Sequence, residues 1–295
     1  MKTEKVFFWA SDYNSNSGEG RLGRSYINFY SKKFKITPQR IKPSKIKIFN
    51  YKYLSPFYGV FCAWIYFIKK EKFIYLNYLP YWNFMIFLLL PPNSLIGPIT
   101  GGSNYSKASN DYYIRKFFFP LFYFFSNTIL KFRFKNLIFS TDLLKKHLHN
   151  KIIKKSLFNF VLNEIKLKKG NKKKKIFFLL YFRKHKNKHY NFLLNFINKL
   201  LKNNFLVVVI GDKINLKGLK NYGYISHKKV LKLLKQTKYS VTTNENIFTF
   251  FTIDCINNGV KLLIDNKSFY KIKNYKNNFI KYDFKKNNLI KLNIK

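Results

Sequence analysis

The twelve acidic side chains of this sequence are few enough to limit the chemistry that it can support. The 295 residues contain 57 Lys and Arg but only 12 Asp and Glu. There is no Asp-x-Asp pair to hold a divalent metal against a diphosphate, and His147 and His149 would point to different faces of a helix. The sequence also lacks the G-x-S-x-G and P-loop motifs. We therefore predict no metal site, and we disfavour a serine hydrolase or a P-loop NTPase.

Three loops have compositions suited to ligand binding, and each follows a predicted strand. Residues 14–21 are rich in Ser and Gly and open a helix, which suits a ligand's hydroxyl or phosphate groups. Residues 97–102 (GPITGG) are dense in glycine. Residues 183–188 are cationic and begin with Arg183, the only arginine after residue 133.

Strands that alternate with helices are predicted to carry the first two loops. Alternation of this kind indicates parallel strands joined by right-handed crossovers. The strands of the first half are predicted at 5–10, 46–50, 73–77 and 136–139. Its helices are predicted at 20–33, 56–70, 82–90, 111–131 and 141–149.

The composition then changes, because residues 165–175 carry seven Lys with no apolar periodicity, as a solvated linker would. A second alternation follows. Its strands are predicted at 176–181, 205–210, 223–225, 239–242 and 261–264, and its helices at 189–202, 227–236 and 250–257. The predicted fold is α/β, with two Rossmann-like doubly wound domains, 1–164 and 176–295, facing across a cleft and joined by the hinge 165–175.

The second predicted domain resembles the nucleotide-sugar half of the GT-B glycosyltransferases, in particular the GT4-like retaining enzymes. About 90 residues carry the resemblance, in consistent order. The matching segments are Arg183 with Lys188, Ile210-Gly211-Asp212, Gly223-Tyr224-Ile225-Ser226, Asn244-Glu245-Asn246, and the segment 254–264 around Gly259. The first domain resembles the acceptor half more loosely, through its N-terminal strand with the glycine loop and through residues 97–102.

The resemblance implies roles for individual residues. Arg183 and Lys188 would hold the donor diphosphate and stabilise its charge as the glycosidic bond breaks, so that no metal is required. Glu245 would lie beside the donor sugar. Asp254 would contact the ribose, although it is an Asp where the family has Glu and its spacing from Glu245 is one residue longer than usual. Further donor contacts are expected at Gly18, Gly211, Asp212, Tyr224 and Asn246, and acceptor-side contacts at Glu19, Arg21, Thr100, Gly101 and Gly102.

The function that follows is transfer of a sugar from an NDP-sugar to a glycan or lipid-linked acceptor in cell-surface polysaccharide or lipopolysaccharide biosynthesis. The NDP-sugar is a co-substrate, and no cofactor is expected. Two alternatives stay open at this point. One is a basic protein that binds nucleic acid through Lys patches and aromatic platforms. The other is a degenerate GT-B module that binds glycans without turnover.

The net charge of +45 rests on lysine, since only six of the 57 basic residues are arginine. Lys, Asn, Ile, Phe and Tyr are all abundant and all have A/T-rich codons, so we interpret the charge mainly as genome bias. Attraction to an anionic membrane is a plausible use of it, and specific nucleic-acid binding is not expected. No signal peptide is apparent and the two cysteines suggest no disulfide, which predicts a cytoplasmic protein, with attraction to the inner face of the membrane.

Two apolar stretches are predicted to be buried in the protein rather than in a bilayer. Residues 73–106 carry no charge, but Asn and Pro interrupt them repeatedly. Residues 117–130 are only 14 long, whereas a membrane span needs about 20 apolar residues. In the first stretch we therefore expect a short buried strand, a buried helix and a second strand that enters the glycine loop, and in the second stretch a core helix.

Overall fold

The computed structural model describes residues 4–51, 54–77, 79–101, 112–166, 175–184, 190–242, 246–266, 272 and 275–284. The described residues divide into two compact units. Unit 1 extends to Asn163, and unit 2 begins at Glu164.

Unit 1 contains short parallel strands and five α-helices. Its strands are β1 (Glu4–Trp9), β2 (Ile36–Arg40), β3 (Phe73–Tyr75), β4 (Leu79–Pro80), β5 (Leu95–Ile96), β6 (Ile99–Thr100), β7 (Leu137–Ile138) and β8 (Ser156–Leu157). Its helices are α1 (Gly18–Phe34), α2 (Ser55–Ile68), α3 (Phe84–Leu89), α4 (Tyr112–Arg133) and α5 (Asn150–Lys154). Short 3-10 turns occupy Lys47–Asn50, Lys145–His147 and Phe160–Glu164.

The strands of unit 1 follow one another in a single direction. Four of them form a parallel sheet in the order β2-β1-β3-β5. Further along the chain, β4 pairs with β6 just as β3 pairs with β5, and β7 pairs with β8. A parallel bridge between Ile99 and Phe139 connects these last pairs. The carboxyl ends of β1, β2, β3 and β5 therefore lie at one edge of the four-stranded sheet.

Unit 2 contains six parallel strands in one sheet. They are β9 (Ile176–Phe182), β10 (Val207–Gly211), β11 (Lys220–Asn221), β12 (Thr237–Val241), β13 (Lys261–Asp265) and β14 (Phe279–Tyr282). The helices are α6 (Tyr190–Lys202), α7 (His227–Leu234) and α8 (Phe250–Asn257). The sheet order is β11-β10-β9-β12-β13-β14, which is 3-2-1-4-5-6 within the unit and is the order of a Rossmann fold.

Apolar patterning explains why these residues form layers. Val6 and Phe8 of β1 pack with Tyr26 of α1, whereas Trp9 packs with Val60 of α2, so helices cover both faces of the strand. In unit 2 the central strand β9 is apolar on both faces, as buried parallel strands usually are. The predicted α/β fold class with two Rossmann-like doubly wound units is confirmed; that the two domains face each other across a cleft stays a prediction.

Three predicted elements differ from the structure. The strand predicted at 46–50 is a 3-10 turn, and the second strand is instead β2, which contains Pro38 and lies at the sheet edge where a missing N–H is tolerated. The helix predicted at 141–149 is replaced by a 3-10 turn and by α5. The strand predicted at 223–225 lies earlier, at β11.

The apolar helix α4 also differs from its prediction. It continues through Pro120, and its side chains at Phe117, Leu121 and Phe124 are exposed rather than buried in a core. Within the described residues, no helix is both long enough and apolar enough to span a membrane.

Lys155 stabilises the end of α4. Its ammonium group donates to the carbonyl oxygens of Leu130 (2.8 Å), Lys131 (3.0 Å) and Phe134. These carbonyls belong to the last turn of the helix and the residue after it, where intrahelical donors are lacking. The partly buried ammonium of Lys155 therefore joins the end of α4 to the segment that leads into β8.

Replacing Lys155 by Met should lower the free energy of unfolding by about 1.5–3 kcal/mol, because hydrogen bonds from a charged donor are lost and the carbonyls keep their desolvation cost. Urea unfolding followed by circular dichroism measures the difference. Lys154→Met, which changes the exposed neighbour in the same way, is the control. Equal stability of the two variants would contradict the assignment.

Candidate active site at the carboxyl edges of the sheets

The strand order of unit 2 identifies one place where a ligand is expected. The chain leaves β9 toward β10 on one side and later returns to β12 on the other side. In open α/β sheets, ligands bind outside the carboxyl ends of the strands at such a switch point. Arg183 follows β9 directly, and Asn246 follows β12 after Thr242 and three residues that lie outside the described ones.

The end of β10 is a tight turn that only glycine allows. Gly211 has a φ of +102°, and a Cβ there would overlap the carbonyl oxygen of Phe182. The turn is closed by hydrogen bonds from the Asp212 N–H to the Phe182 carbonyl (3.0 Å) and from the Gly211 N–H to the Gly223 carbonyl (3.0 Å). The ends of β9 and β10 and the segment after β11 are therefore held together at this edge.

The carboxylate of Asp212 binds two neighbouring segments at once. Its Oδ2 accepts a hydrogen bond from the Lys184 N–H (2.6 Å), and its Oδ1 accepts one from the Tyr224 hydroxyl (2.7 Å). These two hydrogen bonds hold the pKa of Asp212 below its usual value, and the bond from the Lys184 amide has the larger effect. The bond from Tyr224 to Asp212 raises the pKa of Tyr224. Asp212 thus fixes the backbone beside Arg183.

Asp254 is buried on α8 and has a histidine partner. Its Oδ2 lies 3.0 Å from Nε2 of His227, the first residue of α7. Thr249 caps α8 by accepting a hydrogen bond from the Thr252 N–H (3.2 Å). Both helices begin at the carboxyl edge of the sheet, because each follows a strand and returns to the next parallel strand. The pair therefore lies near the same edge as Arg183.

The loop after β1 is a compact turn that opens α1. Ser17 is the N-cap, and its hydroxyl accepts a hydrogen bond from the Gly20 N–H (2.9 Å). Asn14 folds back so closely that a Cβ on Gly20 would overlap its backbone N and O atoms. Around a Cβ on Gly18, in contrast, there is no atom within 4 Å. Gly18 thus presents open backbone at the start of a helix, which suits the approach of a phosphate or hydroxyl group.

Two arginines hold this loop in place. The guanidinium groups of Arg24 and Arg40 lie 4.9 and 5.1 Å from the ring centre of Tyr13. Arg24 Nε donates to the Tyr13 carbonyl (2.9 Å), and Arg40 Nη2 donates to the Ala10 carbonyl (3.0 Å). Beside them the Ser11 hydroxyl contacts the buried amide of Asn77, which joins the ends of β1 and β3.

The predicted site residues fall into three groups. Arg183, Gly211, Asp212 and Tyr224 are brought together at one edge of unit 2 by the contacts described above. In unit 1, Glu19 and Arg21 lie in the first turn of α1, while Thr100 ends β6, its hydroxyl 3.4 Å from the Leu79 carbonyl, and Gly101 follows. Lys188, Glu245 and Gly102 lie outside the described residues. The roles assigned to all of them stay predictions.

The sequence reasoning missed His227, Arg24 and Arg40. The scarcity of acids was the available signal for His227, because a buried carboxylate such as Asp254 requires a partner. For the arginines the signal was their rarity and their position around the first glycine loop. Among the described residues, no group of three or more His, Cys, Asp or Glu side chains is arranged to hold a metal ion.

Comparisons with known proteins give remote structural likenesses only. No protein-family model and no curated protein matches the sequence. Among solved structures, HepE of Anabaena in complex with UDP and glucose is 10% identical, with a TM-score of 0.48 over 89% of this chain and 81% of that one. The UDP-GlcNAc 2-epimerase of Methanocaldococcus jannaschii is 11% identical, with a TM-score of 0.47 over 99% and 92%. The Escherichia coli heptosyltransferase WaaC is 10% identical, with a TM-score of 0.40 over 98% and 98%. At these values the likenesses do not establish an activity.

Alanine at Gly20 should destabilise the protein, whereas alanine at Gly18 should change its stability little. Gly20→Ala forces the Asn14 turn to move, and overpacking of this kind costs about 1–3 kcal/mol, so the melting temperature should fall by several degrees. Gly18→Ala has free space and should leave the melting temperature within about 1–2 °C of the parent, because exposed substitutions change stability by about 0.5 kcal/mol or less. Thermal unfolding of both variants tests this, and a larger loss in Gly18→Ala than in Gly20→Ala would contradict the geometry.

The bond between Asp212 and the Lys184 amide should depend on pH. The pKa of Asp212 is lower in the folded state than in the unfolded state. The hydrogen bond to the Lys184 amide therefore contributes fully to stability above about pH 4, the unperturbed pKa of an aspartate, and this contribution is lost as the pH falls through the lower pKa of the folded state. The Lys184 amide resonance, followed by NMR, should titrate below about pH 4 in the parent and lose that step in Asp212→Asn. Asp265→Asn, which changes another acid at the same sheet edge, is the control and should retain the step. A titration that survives Asp212→Asn would disprove the contact.

Proposed function

We propose that the chain is a GT-B glycosyltransferase that transfers a sugar from a nucleoside diphosphate sugar to a glycan or lipid-linked acceptor in cell-surface polysaccharide or lipopolysaccharide biosynthesis. The observation that carries the proposal is the position of Arg183 at the switch point of a 3-2-1-4-5-6 sheet, beside a loop that Asp212 fixes. Within this class we favour the GT4-like retaining enzymes, on the order of the sequence motifs in unit 2.

Arg183 is suited to binding a diphosphate. Its guanidinium carries several N–H donors in a plane, which matches two phosphate oxygens at once. The Lys184 amide directly after it is held by Asp212 at 2.6 Å, so the backbone that carries the guanidinium is fixed before a ligand arrives. Preorganised donors of this kind stabilise developing charge better than mobile ones. We assign the donor diphosphate to this position, with Lys188 as a second cation.

The reaction proposed for this site breaks the bond between the sugar's anomeric carbon and the diphosphate oxygen. The bonding electrons go to that oxygen, and Arg183 and Lys188 stabilise the resulting negative charge. For a retaining transfer, the acceptor hydroxyl attacks from the same face, and the departing phosphate takes its proton. Glu245 is assigned a place beside the donor sugar. No residue of this scheme is a metal ligand, so activity should persist in EDTA.

The ribose side of the donor is assigned to the pair of Asp254 and His227 rather than to Asp254 alone. The side chain of Asp254 is 6% exposed, whereas that of His227 is 30% exposed. A hydroxyl that approaches from solvent therefore reaches the imidazole more easily than the carboxylate. Asp254 would then orient His227, which contacts the ribose. The acceptor side is assigned to the β1–α1 loop, with Glu19 and Arg21, and to residues 100–102.

Arg183→Ala should weaken binding of the donor nucleotide by about tenfold to a hundredfold, the cost of losing charge-assisted phosphate contacts. Release of nucleoside diphosphate, measured in EDTA with the best donor from a thermal-shift panel of UDP, GDP, ADP, CMP and dTDP sugars, should be lost. Lys202→Ala is the matched control, since it removes one exposed charge from the same unit at the end of α6, where the chain has returned to the amino edge of the sheet.

Either of two results would refute the proposal. One is the absence of binding by every sugar nucleotide in the panel. The other is an equal loss of affinity in Arg183→Ala and Lys202→Ala, because this would indicate a general effect of positive charge rather than a site.

A further inference from the structure

Helix α2 exposes an apolar stripe to solvent. Its exposed large side chains are Phe57, Phe61, Trp64, Phe67 and Ile68. Phe57, Phe61, Trp64 and Ile68 follow one another at spacings of four, three and four residues. This spacing defines one face of a helix. The helix contains no charged residue, so it has no polar face to turn toward water.

Two further helices of unit 1 have the same property. On α4 the exposed residues include Phe117, Leu121 and Phe124, again at helical spacing, and on α3 they include Met85 and Leu88. A helix on the surface of a globular protein normally shows the reverse pattern, with polar residues outward. In α2, α3 and α4 the outward faces are apolar.

Direct contacts join these three helices into one surface. Trp64 Nε1 on α2 donates to the Leu89 carbonyl at the end of α3 (2.8 Å). The rings of Phe84 on α3 and Phe125 on α4 lie 5.2 Å apart. The exposed stripes are therefore neighbours, and we call the outward side of α2, α3 and α4 the aromatic face.

Codon bias toward Phe and Ile does not by itself account for the aromatic face, because unit 2 belongs to the same chain and is subject to the same bias. Among the described residues of unit 2, the exposed large apolar side chains are Tyr181, Leu206, Tyr222 and Tyr224. None of the four lies in a helix. Unit 2 buries the apolar stripe of α6 in its core, whereas unit 1 exposes the stripes of α2 and α4.

The charges around the aromatic face are almost all positive. Lys69 and Lys70 follow α2, and α4 carries Arg115 and Lys116 in its first turns and Lys131 and Arg133 in its last turn. Between residues 54 and 133 the sequence contains only two acids, Glu71 and Asp111. Cations at both ends of an apolar stripe match a surface that is apolar inside and negative at its boundary.

We propose that the aromatic face docks on the surface of an anionic lipid bilayer, with α2, α3 and α4 lying in the plane of the interface. Phe, Trp and Leu side chains enter the boundary between headgroups and acyl chains, and the flanking Lys and Arg contact the lipid phosphates. The described helices do not span a membrane, so the contact is peripheral. The proposal is independent of donor chemistry, since no residue of the aromatic face belongs to the site in unit 2.

The tryptophans provide a direct test with the full-length parent protein. Of the three in the chain, Trp64 and Trp82 are 39% and 40% exposed, and Trp9 is 2% exposed. Vesicles of phosphatidylcholine with 30% phosphatidylglycerol should shift the emission to shorter wavelength, and brominated acyl chains should quench it. Pure phosphatidylcholine vesicles should bind at least tenfold more weakly, because the lysines then lack a partner.

A variant with three substitutions, Phe117→Ser, Leu121→Ser and Phe124→Ser, should reduce co-sedimentation with the anionic vesicles at least tenfold. The changed side chains point outward, and circular dichroism checks that the variant is folded. The control, Leu206→Ser with Tyr222→Ser, removes exposed apolar side chains from unit 2 and should bind like the parent.

Three results would overturn the proposal. The first is no binding of the parent to anionic vesicles, and the second is binding without quenching by brominated lipid, which would indicate adsorption by charge alone. The third is a dimer in lipid-free buffer that the triple substitution dissociates, because the aromatic face would then cover a second copy of the chain. Donor binding, measured separately, is expected to be unchanged in the variant.

Discussion

Parallel strand pairing is the constraint on which the rest of this structure depends. When every strand of a sheet runs in the same direction, the loops that follow the strands all gather at one edge, and each helix must cross back over a face. In unit 2 this places Arg183, Asp212 and Asn246 at a single edge although they are far apart in the sequence. Gly211 is the local requirement of that arrangement, since only glycine allows the end of β10 to approach Phe182 so closely.

The charged residues of this chain are of two kinds, abundant lysines and a few acids that their neighbours hold in place. Lysine is abundant throughout the sequence. The informative contacts are those in which a scarce residue is held by its neighbours: Asp212 by the Lys184 amide and Tyr224, and Asp254 by His227. Because acids are so few, an acid that its neighbours hold in place is a better guide to function than one more lysine. The aromatic face gives the lysines that flank it in unit 1 a proposed use.

Much of the fold could be predicted from the sequence, because central parallel strands such as β9 and β10 are continuous apolar runs. Edge strands could not, since β2 is short and polar and contains Pro38, whereas the more apolar residues 46–50 form a 3-10 turn. The exposure of α4 was also not predictable. A segment that is apolar on every side gives no periodicity to show which face meets water. Asp254 and His227 are 27 residues apart in the sequence, and their contact becomes visible only when α7 packs against α8.

The central claim is that a nucleoside diphosphate binds beside Arg183 at the switch point of unit 2. Only six arginines occur in the chain, so their side-chain Nε–H resonances can be assigned by single Arg→Lys substitutions and followed by NMR during titration with the nucleotide that the donor panel selects. We predict that the Arg183 resonance shifts with saturation while those of Arg24 and Arg40 stay in place. A saturable shift at Arg24 or Arg40 with no change at Arg183 would contradict the proposed site.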